Sequence, residues 1–512
     1  MMKLNNIKHK TLAILILLAM IMGTTVSCKK ALENELSNDT YADAFWKTGS
    51  DVESAALGAY GLLRKSLHQN SCFFIWGDAP AGMFSSDEGS LATDVVTQGS
   101  FTVPYWEEGA HNWTNWYRVV DASNLILENV SKMPDAAFSS PQAKKSYLGE
   151  AYFLRALAYF YMTRVWGDLP LQLTATTSAE QAQKIGRTDA ATIIKQVLSD
   201  AQKASSLLTW ESASVHQKRR ANKGAALALL SHASAWNNDY AKTILYADSI
   251  INKQDLFSLQ PKGSILNVFS QSSAPENIFA ITAKSADNEA AGYTDYVFTA
   301  NIAFITVSKE QKPGMPYDPA YYYVPVEIAG ALYGQDDDRL QEFFFESPKG
   351  GIPARKLSLR KYANIAYKNA ASTANPLAES NLVVFRLADM ILLKAEALSA
   401  LGNDGDAIAA VNLIRERAGA TNFDISTDFG QMLRKKIVQE RQRELVGEGH
   451  SYFDVVRNAV NLKDRGFFAQ IISQWAMSAD RYDQKGYLWP IANSILNSNR
   501  LVSQNPWWMG KL

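Results

Sequence analysis

Two stretches of this sequence follow the same plan, and that plan restricts the fold more than any other feature. In 387–418, Leu387, Ile391, Ala395 and Leu398 fall on one helical face, and Gly402-Asn403-Asp404-Gly405 breaks the chain. Ala407, Val411, Ile414 and Ala418 then form a second apolar stripe. In 222–251 an alanine-rich helix runs to Trp236, Asn237-Asn238-Asp239 supplies a turn, and Tyr240, Ile244, Ala247 and Ile251 line a return helix. Small residues at the contact face let paired helices approach closely. A hairpin of this kind cannot bury its apolar face alone and must stack on neighbours.

Both units resemble tetratricopeptide-type hairpins. The helix expected at 147–166 differs, because Phe153, Leu154, Leu157, Phe160, Tyr161 and Val165 spread apolar surface around its circumference, the pattern of a helix buried on most sides. The stretches 68–112 and 255–380 lack this period and are richer in Gly, Pro, Ser, Asn and aromatic residues. They read as long irregular insertions with short strands, and loops of that length in a compact protein usually carry function.

Composition excludes several classes. With 512 residues, 47% of them hydrophobic, the chain can bury a large core, which rules out a disordered protein. Fifty-one basic residues against 51 acidic ones give no electrostatic basis for nucleic-acid binding. Two cysteines cannot build a four-cysteine zinc site or a disulfide framework.

The N-terminus reads as an address. Lys3, Lys8, His9 and Lys10 precede the apolar run Leu12 to Met22, which is followed by Gly23-Thr24-Thr25-Val26-Ser27-Cys28. This is the pattern of a secretory signal over 1–27, and the run is shorter than the roughly 20 residues a membrane span needs. Cys28 stands where a bacterial lipoprotein signal places its acylated cysteine, although the favoured leucine three positions upstream is absent. Residues 28–40 suit a lipid-anchored tether. Cleavage removes three lysines and no acid, so the mature body is mildly acidic, and Cys72 is left without a partner for an intramolecular disulfide.

Motifs of catalysis and cofactor binding are missing: there is no glycine-rich phosphate loop, His-Glu-x-x-His, Gly-x-Ser-x-Gly or Cys-x-x-Cys. The six histidines are scattered without ligand spacing. Asp336-Asp337-Asp338-Arg339 lacks the alternating spacing of a calcium loop and reads as a solvated turn. Glu440, Glu444 and Glu448 share one helical face with Arg441 and Arg443 nearby, an ion-pair face rather than the acid and base of a glycosidase.

A further set of motifs occurs in a fixed order. Phe45-Trp46-Lys47-Thr48 with Asp51, Ala55 and Tyr60 comes first, then Trp113, Tyr117 and Asn124. Glu150-Ala151-Tyr152-Phe153-Leu154-Arg155-Ala156 and Trp166-Gly167-Asp168-Leu169-Pro170-Leu171 follow. The C-terminal half carries Phe385-Arg386-Leu387-Ala388-Asp389, Ala395-Glu396-Ala397, Ile437, Glu440-Arg441, Glu444-Leu445, Glu448-Gly449 and Tyr452-Phe453-Asp454-Val455-Val456-Arg457. It ends on Trp489-Pro490-Ile491 with Asn499, Leu501 and Gln504-Asn505-Pro506. In this order the motifs resemble the SusD/RagB family of outer-membrane nutrient-binding lipoproteins, over nearly all of the mature chain. The tail departs from the family at Ala492, where a second proline is usual, and at Trp507-Trp508.

The resemblance implies a mainly α fold of about four tetratricopeptide-like hairpins packed against a large loop-rich region with few short strands. It divides the chain into an N-terminal helical region 41–255, an aromatic-rich insertion 256–380 and a C-terminal region 381–512 packed with the first as one unit. It implies a surface-exposed lipoprotein of the outer membrane that captures a nutrient, most often an oligosaccharide, over a SusC-like TonB-dependent transporter, with no catalysis and no cofactor. The motifs are scaffold in this reading, so Arg155, Glu440 and Arg441 should be buried or paired.

Sugar recognition needs an aromatic face for the C–H side of a pyranose and polar groups for its hydroxyls, set on loops over a rigid scaffold. Trp76, Asp78, Phe84, Asp87 and Trp106 form one candidate set, and Tyr293, Tyr296, Tyr321 and Tyr322 another. Trp113, Trp166 and Trp236 lie in helical patterns and are assigned to the core. Capture of peptides or another nutrient by the same architecture is the first alternative, and a surface glycoside hydrolase the second.

Overall fold

A computed structural model of the chain describes residues 45–87, 110–178, 182, 184–210, 219–287, 289–292, 302–347, 355–369, 371–472 and 477–511. The expected signal segment, Cys28 and the expected tether lie outside these residues, as do Trp106, Tyr293 and Tyr296. Among the described residues no helix is long and apolar enough to cross a membrane.

The long helices are α1 (Gly49–His68), α3 (Thr114–Lys132), α4 (Pro141–Trp166), α5 (Ala190–Leu207), α6 (Lys223–Trp236), α7 (Tyr240–Ile251), α8 (Leu387–Ala400), α9 (Asp404–Arg417), α10 (Gly430–Glu444) and α11 (Ser451–Leu462). A short α2 (Cys72–Gly77) follows α1. Their starts are written in local chemistry. Thr48 and Asp51 form a capping box on α1, Ser140 caps α4 ahead of Pro141, and Asp189, Asn222 and Asp239 cap α5, α6 and α7.

Four pairs stack in chain order: α1 with α3, α4 with α5, α6 with α7, and α8 with α9. Adjacent pairs join through α3 on α4, α5 on α6 and α7 on α8, so each hairpin covers the apolar face of the next. The protein is mainly α, as expected, with tetratricopeptide-like hairpins. Leu387, Ile391, Ala395 and Leu398 are buried, as are Ala407, Val411, Ile414 and Ala418 across the hairpin. The turn between them passes through Gly402 at φ +79, a left-handed conformation that glycine adopts without strain. Helix α4 is enclosed almost throughout from Gly149 to Trp166. Trp113 and Trp166 are core residues, whereas Trp236, at the end of α6, is only half-buried.

Between the third and fourth pairs the chain makes a long excursion. Strand β1 (Asn277–Ile281) leaves α7, and β8 (Leu382–Arg386) returns to α8; the two pair antiparallel and are wholly buried, closing the neck of the excursion. Within it, β2 (Ala291–Gly292), β7 (Ser372–Ala378) and β6 (Ile365–Asn369) form one small sheet. Strands β3 (Val324–Pro325), β5 (Lys356–Leu359) and β4 (Phe344–Ser347) form another.

A buried charge network ties the excursion to the C-terminal helices. Arg386 on β8 donates to Glu276, Glu444 and Glu448 at 2.6–2.7 Å, and Arg339 donates to Asp337, Glu440 and Glu444 at 2.7–3.0 Å. Arg417 reaches Glu276 and Glu444, Arg415 and Arg443 reach Glu440, and Lys361 reaches Glu448. Glu440 and Glu444 therefore do form an ion-pair face on α10, one from which water is excluded, whereas Glu448 lies beyond the end of that helix, in the turn before α11, and joins the network from there. The Asp336–Arg339 segment departs from the solvated turn expected of it, since Asp337 and Arg339 are buried. Three acidic residues in a row look hydrophilic, but the arginine that follows is what the network needs.

Two further arginines are scaffold, as the motif reading expected. Arg155 is clamped between Asp200 and Asn124. Arg441 joins Asp389 at 2.8 Å to Asp454 at 2.7 Å.

Candidate functional site

The excursion brings one polar and aromatic set to the surface. Ser85 and Tyr323 exchange two backbone hydrogen bonds, of 2.8 and 3.1 Å, and Pro325 on β3 lies opposite Lys356 on β5. These pairings gather Asp87, Tyr323 and Lys356 from three distant points of the chain. The Tyr323 hydroxyl donates to Asp87 at 2.7 Å, Lys356 also bonds Asp87, and the Lys356 ammonium stands 4.5 Å from the Tyr323 ring centroid. The hydrogen bond from Lys356 holds Asp87 below the usual carboxylate range. Burial and the neighbouring Asp87 push the Tyr323 hydroxyl up to about 12, so it stays a donor at neutral pH. A half-buried ring, a carboxylate, a phenol and an ammonium thus share one rim.

The remaining residues selected from the sequence separate into different places. Trp76 is 1% exposed, stands 5.3 Å from the Trp166 ring and donates its indole N–H to the Ala110 carbonyl at 3.0 Å. Phe84 and Tyr322 pack edge-on against Phe74, and Tyr321 is covered between Tyr317 and Tyr322. Four of the proposed ligand rings, Trp76, Phe84, Tyr321 and Tyr322, are therefore core in this structure. Sequence alone shows an aromatic-rich loop but not which rings turn inward, and burial is the commoner fate of large aromatics.

Asp78 is buried as well. It accepts from the Gly449 amide and from the Ser451 hydroxyl at 3.0 Å. Burial outweighs those bonds and raises its carboxyl to about 7. The backbones meet closely here: a Cβ on Gly77 would collide with Gly449, and Gly449 itself sits at φ +76 with Phe73 where its Cβ would be. Asp87 alone of the described candidates lies at the rim. Lys356 was missed; Tyr323 belongs to the Tyr321-Tyr322-Tyr323 run of the aromatic insertion, and only the strand register turns this third member outward.

The sequence also gave no hint of a cluster formed by His232, Asp389 and His450, whose ligating atoms lie within 4.8 Å of one another. His232 donates from Nε2 to Asp389 at 2.7 Å, and the two imidazoles stack 5.4 Å apart. Burial lowers both histidines, His450 to about 4. The other Asp389 oxygen is taken by Arg441, so a divalent cation would sit beside a fixed guanidinium. The chemistry favours a neutral hydrogen-bonded clamp over a metal centre. Cys72 is a buried free thiol whose pKa burial raises, and it is inert by that criterion.

Comparison with known proteins bears directly on the motif order. A family model described as the SusD family matches residues 276–508. A second, described as starch-binding associating with outer membrane, matches residues 84–234. The chain belongs to the SusD family. A SusD-like protein of Formosa agariphila is 27% identical over 483 residues, 88% of this chain and 92% of its own length. Another from the same organism is 24% identical over 487 residues, 86% and 89% of the two chains. Among solved structures, a SusD homologue from Bacteroides thetaiotaomicron superposes with a TM-score of 0.75 at 22% identity, covering 90% of this chain and 98% of that one. Bacteroides fragilis NanU superposes with a TM-score of 0.70 at 22% identity, covering 91% and 98%. At these identities the structures establish the SusD fold, and the family descriptions associate it with starch binding at the outer membrane.

Proposed function

We propose that this SusD-family protein is a lipid-anchored, surface-exposed binder that captures an oligosaccharide and delivers it to a SusC-like TonB-dependent transporter, without catalysing a reaction. The observation that carries the capture step is the rim at Asp87, Tyr323 and Lys356. There an aromatic ring is flanked by one carboxylate and one ammonium, the donors and acceptors that ring hydroxyls require. The family's association with starch binding at the outer membrane supports the ligand class and the location. Anchoring would come from acylation at Cys28, since stable membrane binding takes more than one lipid chain.

Retention of the purified protein on immobilised glycans tests the capture step. Tyr323→Ala and Asp87→Ala should each weaken retention by about tenfold, the loss of one stacked ring or one charge-assisted contact worth ~1.4 kcal/mol. The melting temperature of Asp87→Ala should hold, because its side chain is 55% exposed. Retention of peptides but no glycan would replace the saccharide reading with the peptide one, and release of reducing ends from a bound glycan would show an enzyme instead.

A further inference from the structure

The outer face of α1 carries a cleft that the scaffold does not use. Glu53, Leu57, Gly61 and Arg64 recur along one face of this helix. With the end of β1 and the Arg219-Arg220 turn they enclose about 530 Å³. Small-molecule sites span roughly 300–1,000 Å³. None of these residues belongs to the elements that build the rim at Tyr323.

Three features define what the cleft would take. The charges of its lining cancel, three arginines against three carboxylates: Arg64 bonds Glu289 at 2.8 Å, Arg219 bonds Asp287 at 3.4 Å and Arg220 bonds Glu53 at 2.6 Å, while Arg220 also reaches Glu150 behind the lining at 2.9 Å. A charged ligand would have to displace one of these partners, whereas a neutral polyhydroxylated one finds donors and acceptors side by side. The Arg64 side chain, bonded to Glu289 through Nη2, is still 32% exposed, so its guanidinium can also meet a ligand oxygen. The third feature is Gly61. A glycine inside a helix costs stability relative to alanine, yet a Cβ added here would meet nothing within 4 Å. No internal packing demands that glycine, and Leu57, one turn earlier, is left 55% exposed. Bare backbone beside an exposed leucine gives an apolar floor that the C–H face of a sugar ring can approach closely.

We infer that the cleft beside α1 is a second binding site, for a neutral saccharide, separate from the rim. The test is titration of the intact protein with glucose, galactose, maltose and cellobiose, and with glucuronate and glucose 6-sulfate as charged counterparts, followed by calorimetry and ligand-observed NMR. Gly61→Leu fills the floor while favouring the helix, and Arg64→Met removes the guanidinium donor. Each should weaken binding of a neutral sugar at least tenfold with the melting temperature held. If Gly61→Leu lowers the melting temperature, Arg64→Met carries the test. Neutral-sugar binding that neither variant changes, preference for the charged sugars, or no binding by any of the six would overturn the inference. Rim variants weaken a different binding event, so failure at the cleft and failure at the rim are read independently.

Discussion

Replacing Glu444 by glutamine probes the scaffold most directly. Glu444 is fully buried and accepts from Arg339 at 3.0 Å, from Arg386 at 2.7 Å and from Arg417. Burial opposes its charge, but Arg417, Arg386 and Arg339 together hold its carboxyl well below the usual range. Glutamine keeps the shape and one acceptor, so the change isolates the charge. Breaking one partner of a buried ion pair costs about 3–5 kcal/mol, because it leaves uncompensated charge in low dielectric. That is at least a fifth of the roughly 5–15 kcal/mol that holds a typical protein folded. Urea unfolding followed by tryptophan fluorescence should show the loss, because Trp76, Trp116, Trp166, Trp489 and Trp508 are all fully buried. Glu327→Gln, at an exposed position, is the control and should stay within about 0.5 kcal/mol of the parent. In a double-mutant cycle Arg417→Met should cost less in the Glu444→Gln background than alone, since the cation then no longer has its full counter-charge. A Glu444→Gln protein within about 1 kcal/mol of the parent, or strict additivity with Arg417→Met, would refute the claim that this network carries stability.

Four other outcomes are expected. Trp76→Ala should lower stability by about 3–5 kcal/mol in thermal or urea unfolding, the cost of emptying a buried indole site, instead of acting selectively on ligand retention. His111, which burial lowers to about 3, stays neutral in the folded state while the unfolded chain titrates at its ordinary value, so stability is lost as pH falls below about 6.5. Its replacement by glutamine should remove about 1.3 kcal/mol of the acid loss between pH 7.5 and 5.5. Asp78 tilts the curve the other way: its carboxyl, raised by burial to about 7, costs stability as pH climbs from about 4 to 7, and Asp78→Asn should flatten that slope by about 2 kcal/mol between pH 5.5 and 7.5. Cys28→Ala should release the protein from the membrane fraction; a variant still tightly held there would refute anchoring at that residue.

How much could be read beforehand differed by element for physical reasons. The hairpins α6–α7 and α8–α9 were legible because a helix that buries one stripe writes it every three or four residues, and because Gly402 and Asn238 mark turns that need left-handed backbone. Helix α4 was legible for the opposite reason, being apolar nearly all round. The rim was barely legible. Strands β3 and β5 are two and four residues long, and no period can be read over so short a run. Tyr321, Tyr322 and Tyr323 are chemically identical neighbours, yet the first two are buried and the third is not, since the pairing of Tyr323 with Ser85 decides which ring faces out. The His232–Asp389–His450 clamp was illegible because its members lie on three separate elements joined only by tertiary packing.

The same packing explains why sequence motifs remote from the rim still govern it. Lys356 stands at the rim, and five residues on, Lys361 bonds Glu448 at 2.7 Å. Asp87 stands at the rim, and nine residues earlier Asp78 bonds Gly449 and Ser451. Both stems are therefore fastened to one turn between α10 and α11, the turn that carries the Glu448-Gly449 motif. The four residues of β5 reach about 13 Å, so the far end of this strand is positioned by where its near end is pinned. Glu448 in turn takes two bonds from Arg386 on β8, which fixes that turn against the neck of the excursion. Glu448 thereby acts as a positioning residue. Its removal would leave the buried Lys361 ammonium without its carboxylate, held by the Glu444 carbonyl, and loosen Lys356 against Tyr323, so glycan retention should fall with stability. A loss of retention at Tyr323→Ala without loss of stability separates the contact from the support beneath it.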